Sequence, residues 1–156
     1  MKILMVCLGN ICRSPLAEGI MQQLINDNNL PWQVDSAGTN GLHNGQAPHP
    51  LSQQVALLHN INISKQCSKQ LLLTDADNYD FILAMAADVV ADIKKIFAKK
   101  YNTDKVKLFT NYIPNSKSTD VPDPYYGGIE GYHHMYELLK AGCENFVKLY
   151  YNKTVL

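Results

Sequence analysis

A cysteine and the chain's only arginine stand six positions apart near the start of the sequence, in residues 7–15, CLGNICRSP. The apolar run ILMV at residues 3–6 predicts a buried strand before this stretch, and helical spacing of apolar residues follows it. A loop that joins a strand to a helix N-terminus directs backbone N–H groups into one concavity, which binds anions. The sequence therefore predicts a phosphate-binding loop after strand 1.

Cys7 and Arg13 are the residues of this loop that can do chemistry. We expect the N–H dipoles and the guanidinium to favour the thiolate of Cys7, which makes it a nucleophile at neutral pH. The planar fork of Arg13 can hold two oxygens of a tetrahedral oxyanion while the sulfur approaches phosphorus. Chance would place a lone arginine six residues after one of four cysteines in roughly one case in forty. The alternative for Cys7 is a small buried cysteine at the end of a strand. That alternative does not explain the position of Arg13.

The other loop residues have supporting roles. Ser14, which precedes a proline, is typical of a helix N-cap, and we expect its hydroxyl also to bond the sulfur of Cys7. Gly9 should let the backbone turn closely around phosphate, and Asn10 tolerates a left-handed φ and can brace the loop. Cys12 is either a buried thiol or the partner of Cys7 in a reversible disulfide. The expected phosphate-binding residues of the loop are Leu8, Gly9, Asn10, Ile11, Cys12 and Ser14.

A second candidate segment lies at residues 119–128, TDVPDPYYGG. An ester oxygen displaced by Cys7 needs a proton, and a carboxylic acid that supplies it accelerates such steps by about 10² to 10⁴. Asp123 is the better candidate because a proline fixes it on each side, and Asp120 is the alternative. Tyr125 and Tyr126 can flank an aromatic leaving group. The competing interpretation is a proline-rich turn whose aspartate serves as a cap and whose tyrosines pack on the core.

Length and composition limit the classes of protein to consider. The 156 residues fit one domain, 1–156, and can bury a core without disulfides. Lys plus Arg and Asp plus Glu both number 14, so we expect neither nucleic acid nor a membrane surface as a partner. No apolar stretch approaches the length of a membrane span. Four cysteines without a dense framework suit a reducing compartment, and we expect a cytoplasmic protein.

Strand and helix patterns alternate along the chain, which predicts a parallel sheet with helices on both faces. Residues 61–73 are ambiguous, and 74–77 can form one helical turn. In the loop of residues 39–50, Leu42 and His43 are either substrate contacts or ordinary surface. His133 and His134 lack the spacing of a metal-binding pair and are expected on the surface. Besides the first strand and helix, the pattern predicts strands at 32–37, 79–84 and 106–109 and helices at 51–60, 87–100 and about 129–151.

These two motifs together resemble the low-molecular-weight protein tyrosine phosphatases. The family signature C-x-G-N-x-C-R-S-P stands at residues 7–15, and its late D-P-Y-Y stands at residues 123–126. The resemblance spans the chain and implies an α/β, three-layer α/β/α fold with a four-stranded parallel sheet. It also implies that Asn10 bonds Ser36 and thereby holds the shape of the loop.

The resemblance further implies a reaction. Cys7 would form a phosphocysteine, Arg13 and the loop amides would bind phosphate, and Asp123 would act as general acid and then as base for the hydrolytic water. The implied substrates are phosphotyrosine-containing proteins and small aryl phosphates, with inorganic phosphate or other oxyanions as product or inhibitor. No metal or organic cofactor is expected. Animal relatives tend to carry a bulky aromatic where Leu42 stands, and phosphoarginine-specific relatives tend to have Thr where Ile11 stands.

Two other functions compete with this interpretation. An arsenate reductase on the same fold would use the same loop but needs resolving cysteines, and Cys67 and Cys143 lie far apart in the sequence. A phosphotyrosine-binding module without turnover would need the loop but neither a thiol nor an acid.

Overall fold

Four parallel strands form the centre of the fold. The computed structural model describes residues 1–154, so the last two residues of the predicted domain lie outside the described residues. The strands are β1 (Lys2–Cys7), β2 (Gln33–Gly38), β3 (Phe81–Ala84) and β4 (Val106–Leu108). They run in the spatial order β2-β1-β3-β4. The predicted four-stranded parallel sheet is confirmed.

Helices cover both faces of this sheet. Side chains of β1 alternate between the two faces: Ile3 and Met5 join one buried cluster, and Leu4 and Val6 join the other. Such two-sided burial explains why β1 is a continuous apolar run. The helices are α1 (Arg13–Asp27), α2 (Pro50–Leu58), α3 (Asp75–Asn78), α4 (Ala87–Phe97) and α5 (Ile129–Thr154). The first cluster lies under α1, α2 and α5, and the second under α3 and α4.

The connections between strands place the loop after β1 at the point where the order of the strands in the sheet changes direction. From β1 the chain crosses through α1 to β2 on one side, and β3 pairs with β1 on the other. Cys7 at the end of β1 stands opposite Gly38 at the end of β2. Loops at the carboxyl ends of parallel strands meet at such a point, and ligand sites form there. The fold therefore brings the loop after β1 next to the loop after β2.

Several element boundaries differ from those predicted. The helix expected over residues 87–100 ends at Phe97 because Ala98 takes a φ of 48°, and a 3₁₀ turn, Ala98–Lys100, follows. β4 ends at Leu108, and a second 3₁₀ turn begins at Phe109. Leu149, at helical spacing with the apolar residues of α5, is 52% exposed. Within residues 1–154, every helix is too short or too polar to span a bilayer.

Candidate active site

A cavity of about 330 Å³ opens at the carboxyl end of β1. Its walls come from the loop after β1, the loop after β2 and the segment before α5. Cys7, Arg13 and Asp123 all line it, together with Tyr125 and Tyr126. Residues from opposite ends of the chain therefore meet at one site, as the two sequence motifs predicted.

Cys7 lies at the base of this cavity. The residue is only 3% exposed, yet its side chain is part of the lining. Its Sγ accepts a hydrogen bond from the backbone N of Asn10 at 3.3 Å and lies 3.0 Å from the Ser14 hydroxyl. Hydrogen-bond donors around a sulfur stabilise its anionic form. The geometry suits a thiolate that only a narrow group can reach from solvent.

Ser14 contacts the sulfur but does not cap α1. The helix begins at Arg13, and Cys12 holds the N-cap position without a side-chain hydrogen bond. The prediction of a Ser14 N-cap was wrong, because the loop curls back beneath the helix start and the buried Ser14 hydroxyl faces Cys7 and Asn10 instead. The predicted bond between Ser14 and Cys7 is confirmed.

Asn10 joins the loop to three neighbouring segments. Its φ is 55°, the left-handed conformation that asparagine tolerates better than most residues. Its Nδ2 donates to Ser14 Oγ at 2.8 Å and to Ser36 Oγ at 2.9 Å, and its Oδ1 accepts from Lys69 N at 3.0 Å. The expected bond to Ser36 is confirmed, and the bracing role follows from all three contacts.

Gly38 and Ser68 support the loop from outside. A Cβ on Gly38 would lie 2.8 Å from the Leu8 carbonyl oxygen and 3.0 Å from Asn10 N, distances too short for a side chain. Only glycine at the end of β2 lets the loop approach so closely. Ser68 Oγ donates to the carbonyl oxygen of Gly9 at 3.1 Å. The loop is therefore held in one shape before any ligand binds.

Arg13 joins the loop to the segment before α5. Its Nη1 donates to the Val121 carbonyl oxygen at 3.2 Å, and its Nη2 pairs with Asp123 Oδ2 at 3.4 Å. The other carboxylate oxygen of Asp123 accepts from Tyr125 N at 3.1 Å. The Asp123 side chain is 42% exposed, so the ion pair adds little stability and mainly orients the two groups. A bound phosphate would compete with Asp123 for the guanidinium.

Asp120, the alternative acid, does not line the cavity. Its Oδ1 accepts from Ala87 N at 2.9 Å, at the start of α4. A carboxylate there satisfies a free N–H group and suits the helix dipole. The structure thus brings Asp123, the preferred candidate, to the cavity and places Asp120 at the start of α4.

The rim of the cavity is largely aromatic and aliphatic. Leu42 and His43 both line it, and Leu42 is 79% exposed. A Cβ on Gly9 would lie 3.0 Å from His43 Cδ2, so the imidazole ring rests against the loop. Tyr125 has ring contacts with His43 and with His49, at centroid distances of 6.4 and 5.8 Å. The contact with His49 was missed from the sequence, since a lone histidine before a helix carries no signal of it.

Cys12 is a free thiol, as is Cys7. Burial raises the pKa of Cys12 to about 11, against the opposing hydrogen bond from the Tyr132 hydroxyl at 3.5 Å. Cys12 is therefore a neutral thiol at pH 7. Cys67 is exposed and Cys143 is buried, and neither lines the cavity. Among residues 1–154, no group of three or more His, Cys, Asp or Glu side chains is placed to hold a metal ion.

A thiol at the base of an anion-binding loop, with a guanidinium and a carboxylate on the same cavity, defines a cysteine-dependent phosphatase on an α/β/α sheet. Comparisons with known proteins support this assignment to a class. A family model described as low molecular weight phosphotyrosine protein phosphatase matches residues 2–155. The chain belongs to the low-molecular-weight phosphotyrosine protein phosphatase family, a family of hydrolases that act on phosphoproteins.

Individual relatives share the whole fold. YfkJ of Bacillus subtilis, named a low molecular weight protein-tyrosine-phosphatase, is 36% identical over 148 residues, 94% of this chain and 93% of that protein. Its crystal structure matches with a TM-score of 0.91 at 34% identity, over 98% of this chain and 96% of that chain. A protein tyrosine phosphatase of Entamoeba histolytica, with Hepes in its active site, matches with a TM-score of 0.89 at 33% identity, over 100% and 99% of the two chains. A Drosophila arginine phosphatase matches with a TM-score of 0.88 at 30% identity, over 96% and 98%.

Proposed function

We propose that residues 1–156 act as a single phosphatase domain that hydrolyses phosphotyrosine in proteins, and small aryl phosphates, through a phosphocysteine at Cys7. One observation carries the proposal: a sulfur, a guanidinium and a carboxyl group from distant parts of the chain line one narrow cavity with an apolar and aromatic rim.

The first half of the reaction transfers the phosphoryl group to sulfur. The Cys7 thiolate attacks phosphorus, and the S–P bond forms as the P–O bond to the tyrosine oxygen breaks. Arg13 and the backbone N–H groups of residues 8–12 hold the three non-bridging oxygens, whose charge they stabilise. Asp123, protonated at this stage, gives its proton to the departing oxygen.

The second half releases phosphate. Asp123, now ionised, takes a proton from a water molecule, whose oxygen attacks phosphorus opposite the sulfur. The S–P bond breaks, and Ser14 stabilises the departing thiolate through the hydrogen bond at 3.0 Å. Inorganic phosphate leaves as the product, and it or another oxyanion inhibits by binding the same loop. The Hepes in the Entamoeba relative carries a sulfonate, which supports oxyanion binding in this family.

The depth and walls of the cavity favour phosphotyrosine. The sulfur lies at the base, so a phosphoserine ester is too short to reach it while its peptide stays outside. Leu42 and Tyr126 extend from the rim, 79% and 98% exposed, and can contact the substrate ring. Ile11 is apolar and offers no acceptor to the N–H groups of phosphoarginine. We place the protein in the cytoplasm because the proposed nucleophile needs a reducing compartment.

A comparison of three phosphopeptides tests the substrate class. We expect kcat/KM on phosphotyrosine to exceed that on phosphoserine and on phosphoarginine by at least about 10²-fold. Steady-state phosphate release from peptides of otherwise identical sequence measures it. Faster turnover of phosphoarginine would assign this chain the activity named for the Drosophila relative and overturn the proposed substrate.

Replacing Asp123 with asparagine tests the general acid. We expect kcat/KM on phenyl phosphate to fall about 10²-fold, because its leaving oxygen needs a proton, and the loss of kcat/KM on p-nitrophenyl phosphate to be much smaller. Asp120→Asn is the matched control, since Asp120 bonds Ala87 N outside the cavity. Equal losses of kcat/KM on both esters would show that Asp123 is not the general acid.

A further inference from the structure

The general acid proposed above loses one of its two hydrogen bonds when substrate binds. Asp123 Oδ2 pairs with Arg13 Nη2 at 3.4 Å, and Asp123 Oδ1 accepts from Tyr125 N at 3.1 Å. Bound phosphate takes the guanidinium, and a protonated carboxyl has no charge with which to compete for it. The bond from Tyr125 N is the one that remains. The position of Tyr125 therefore determines where the acid points.

Tyr125 packs against two histidines of the loop after β2. Within residues 1–154, its ring contacts beyond its own segment are with His43 and His49, at centroid distances of 6.4 and 5.8 Å. Tyr126, its third ring neighbour, is 98% exposed and so cannot anchor it. His43 belongs to an exposed stretch of the loop, where its Nδ1 lies 3.0 Å from Gln46 Oε1. His49 is the better anchor for the tyrosine ring.

His49 is fixed by three contacts of its own. Its backbone N–H donates to the carbonyl oxygen of Ile11, in the phosphate-binding loop, at 2.8 Å. Its Nδ1 accepts from Leu51 N at 3.1 Å and thereby caps α2. Its ring stacks on that of buried Tyr132, with centroids 5.2 Å apart and planes 23° apart. His49 thus gives Tyr125 a rigid surface that is bonded directly to the phosphate-binding loop.

We infer that His49 is a positioning residue for the general acid: its ring holds Tyr125, whose backbone N–H holds the Asp123 carboxyl at the cavity. His49 itself does not line the cavity, so it acts through Tyr125 and not on the substrate. Without the ring, the segment that carries the acid can shift toward the vacated space. A displacement of about 1 Å can cost up to about 10²-fold in rate. The inference rests on the proposed role of Asp123.

Two substitutions separate the ring of His49 from its role as a helix cap. Asparagine is among the best N-cap residues, so His49→Asn keeps an acceptor for Leu51 N and removes the ring. His49→Phe keeps a flat ring and removes the acceptor. The backbone bond from residue 49 to Ile11 survives in both variants. A loss in the first variant but not in the second is therefore an effect of the packing surface.

The experiment measures kcat/KM on phenyl phosphate and on p-nitrophenyl phosphate, and tungstate affinity by calorimetry. We expect His49→Asn to lower kcat/KM roughly tenfold on phenyl phosphate and less than about twofold on p-nitrophenyl phosphate, because only the first ester depends strongly on a proton from Asp123. Tungstate affinity should be unchanged, since the phosphate-binding loop keeps its bond to residue 49. His49→Phe should keep both kcat/KM values and have a lower Tm, because α2 loses its cap.

A double variant and a matched control complete the design. In Asp123→Asn there is no acid to position, so the addition of His49→Asn should cost less than about twofold more on phenyl phosphate. His59→Asn removes a histidine at the other end of α2, which stacks on Tyr136 of α5 at a centroid distance of 3.6 Å outside the cavity. It should leave both kcat/KM values unchanged.

His49→Ser, a second cap without a ring, should repeat the result of His49→Asn and replaces it if that variant folds poorly. Equal losses on the two esters, no loss, or an additive loss in the double variant would overturn the inference. An equally selective loss in His49→Phe would assign the effect to the cap and overturn it too. Failure of the proposed function would instead appear in Asp123→Asn alone, as equal losses on both esters, or as activity retained by Cys7→Ser.

Discussion

Cys7→Ser is expected to lower kcat on phosphotyrosine by roughly 10⁵-fold or more while oxyanion binding persists. A hydroxyl in that position stays protonated at neutral pH and is a poor nucleophile. The loop amides, Arg13 and the Asn10 contacts that shape the loop remain in place. Steady-state kinetics measures the first effect, and calorimetric titration with tungstate measures the second.

Cys67→Ser is the matched control, since the same substitution falls on an exposed cysteine outside the cavity. It should change neither kcat nor tungstate affinity. Substantial activity in Cys7→Ser would show that another group attacks phosphorus. Loss of tungstate binding together with activity would instead mean that the sulfur holds the loop in shape.

Arg13→Lys is expected to reduce kcat/KM by about 10³-fold, although the charge is kept. A lysine cannot hold two phosphate oxygens in one plane, and it cannot reproduce the paired contacts of Nη1 with Val121 and Nη2 with Asp123. We expect tungstate affinity to fall at least about tenfold in the same variant.

Lys99→Arg, on the exposed turn after α4, makes the reverse exchange far from the cavity and should leave kinetics and tungstate binding unchanged. If Arg13→Lys kept both properties, the guanidinium would serve only as a positive charge. The proposal that Arg13 clamps two phosphate oxygens in one plane would then be wrong.

The first loop could be predicted because its chemistry is local. A cysteine, an arginine six residues beyond it, an apolar strand before and a helix after determine the site within about one-tenth of the chain. Asn10 was also predictable, since few residues accept a φ of 55°. The alternation of strands and helices then fixed the order of layers without any knowledge of contacts.

The role of residues 61–73 could not be predicted because they support the loop after β1 largely through backbone atoms. They form no strand beyond a single bridge between Gly38 and Gln70, so no periodicity marks them. Lys69 nevertheless supplies its N–H to Asn10, and Ser68 supplies a hydroxyl to Gly9. Backbone donors carry no residue-type signal, which is why the support of the loop was missed.

Some side-chain contacts were not predicted because the same residue type can serve in two different structural positions. Serine before proline suits an N-cap as well as a sulfur contact, and only the direction of the loop decides that Ser14 makes the second. Asp123 was preferred over Asp120 because prolines flank it, but the contacts of Asp120 with α4 and of Asp123 with Arg13 were not predicted.

The phosphocysteine is the most direct test of the reaction. The protein is mixed with p-nitrophenyl phosphate, quenched within milliseconds in acid, digested and analysed by mass spectrometry. We expect the peptide that contains Cys7 to carry one added phosphoryl group, with more of it in Asp123→Asn, where hydrolysis of the intermediate lacks its base. A phosphoryl group on a different residue, or none on Cys7 while turnover continues, would contradict the proposed mechanism.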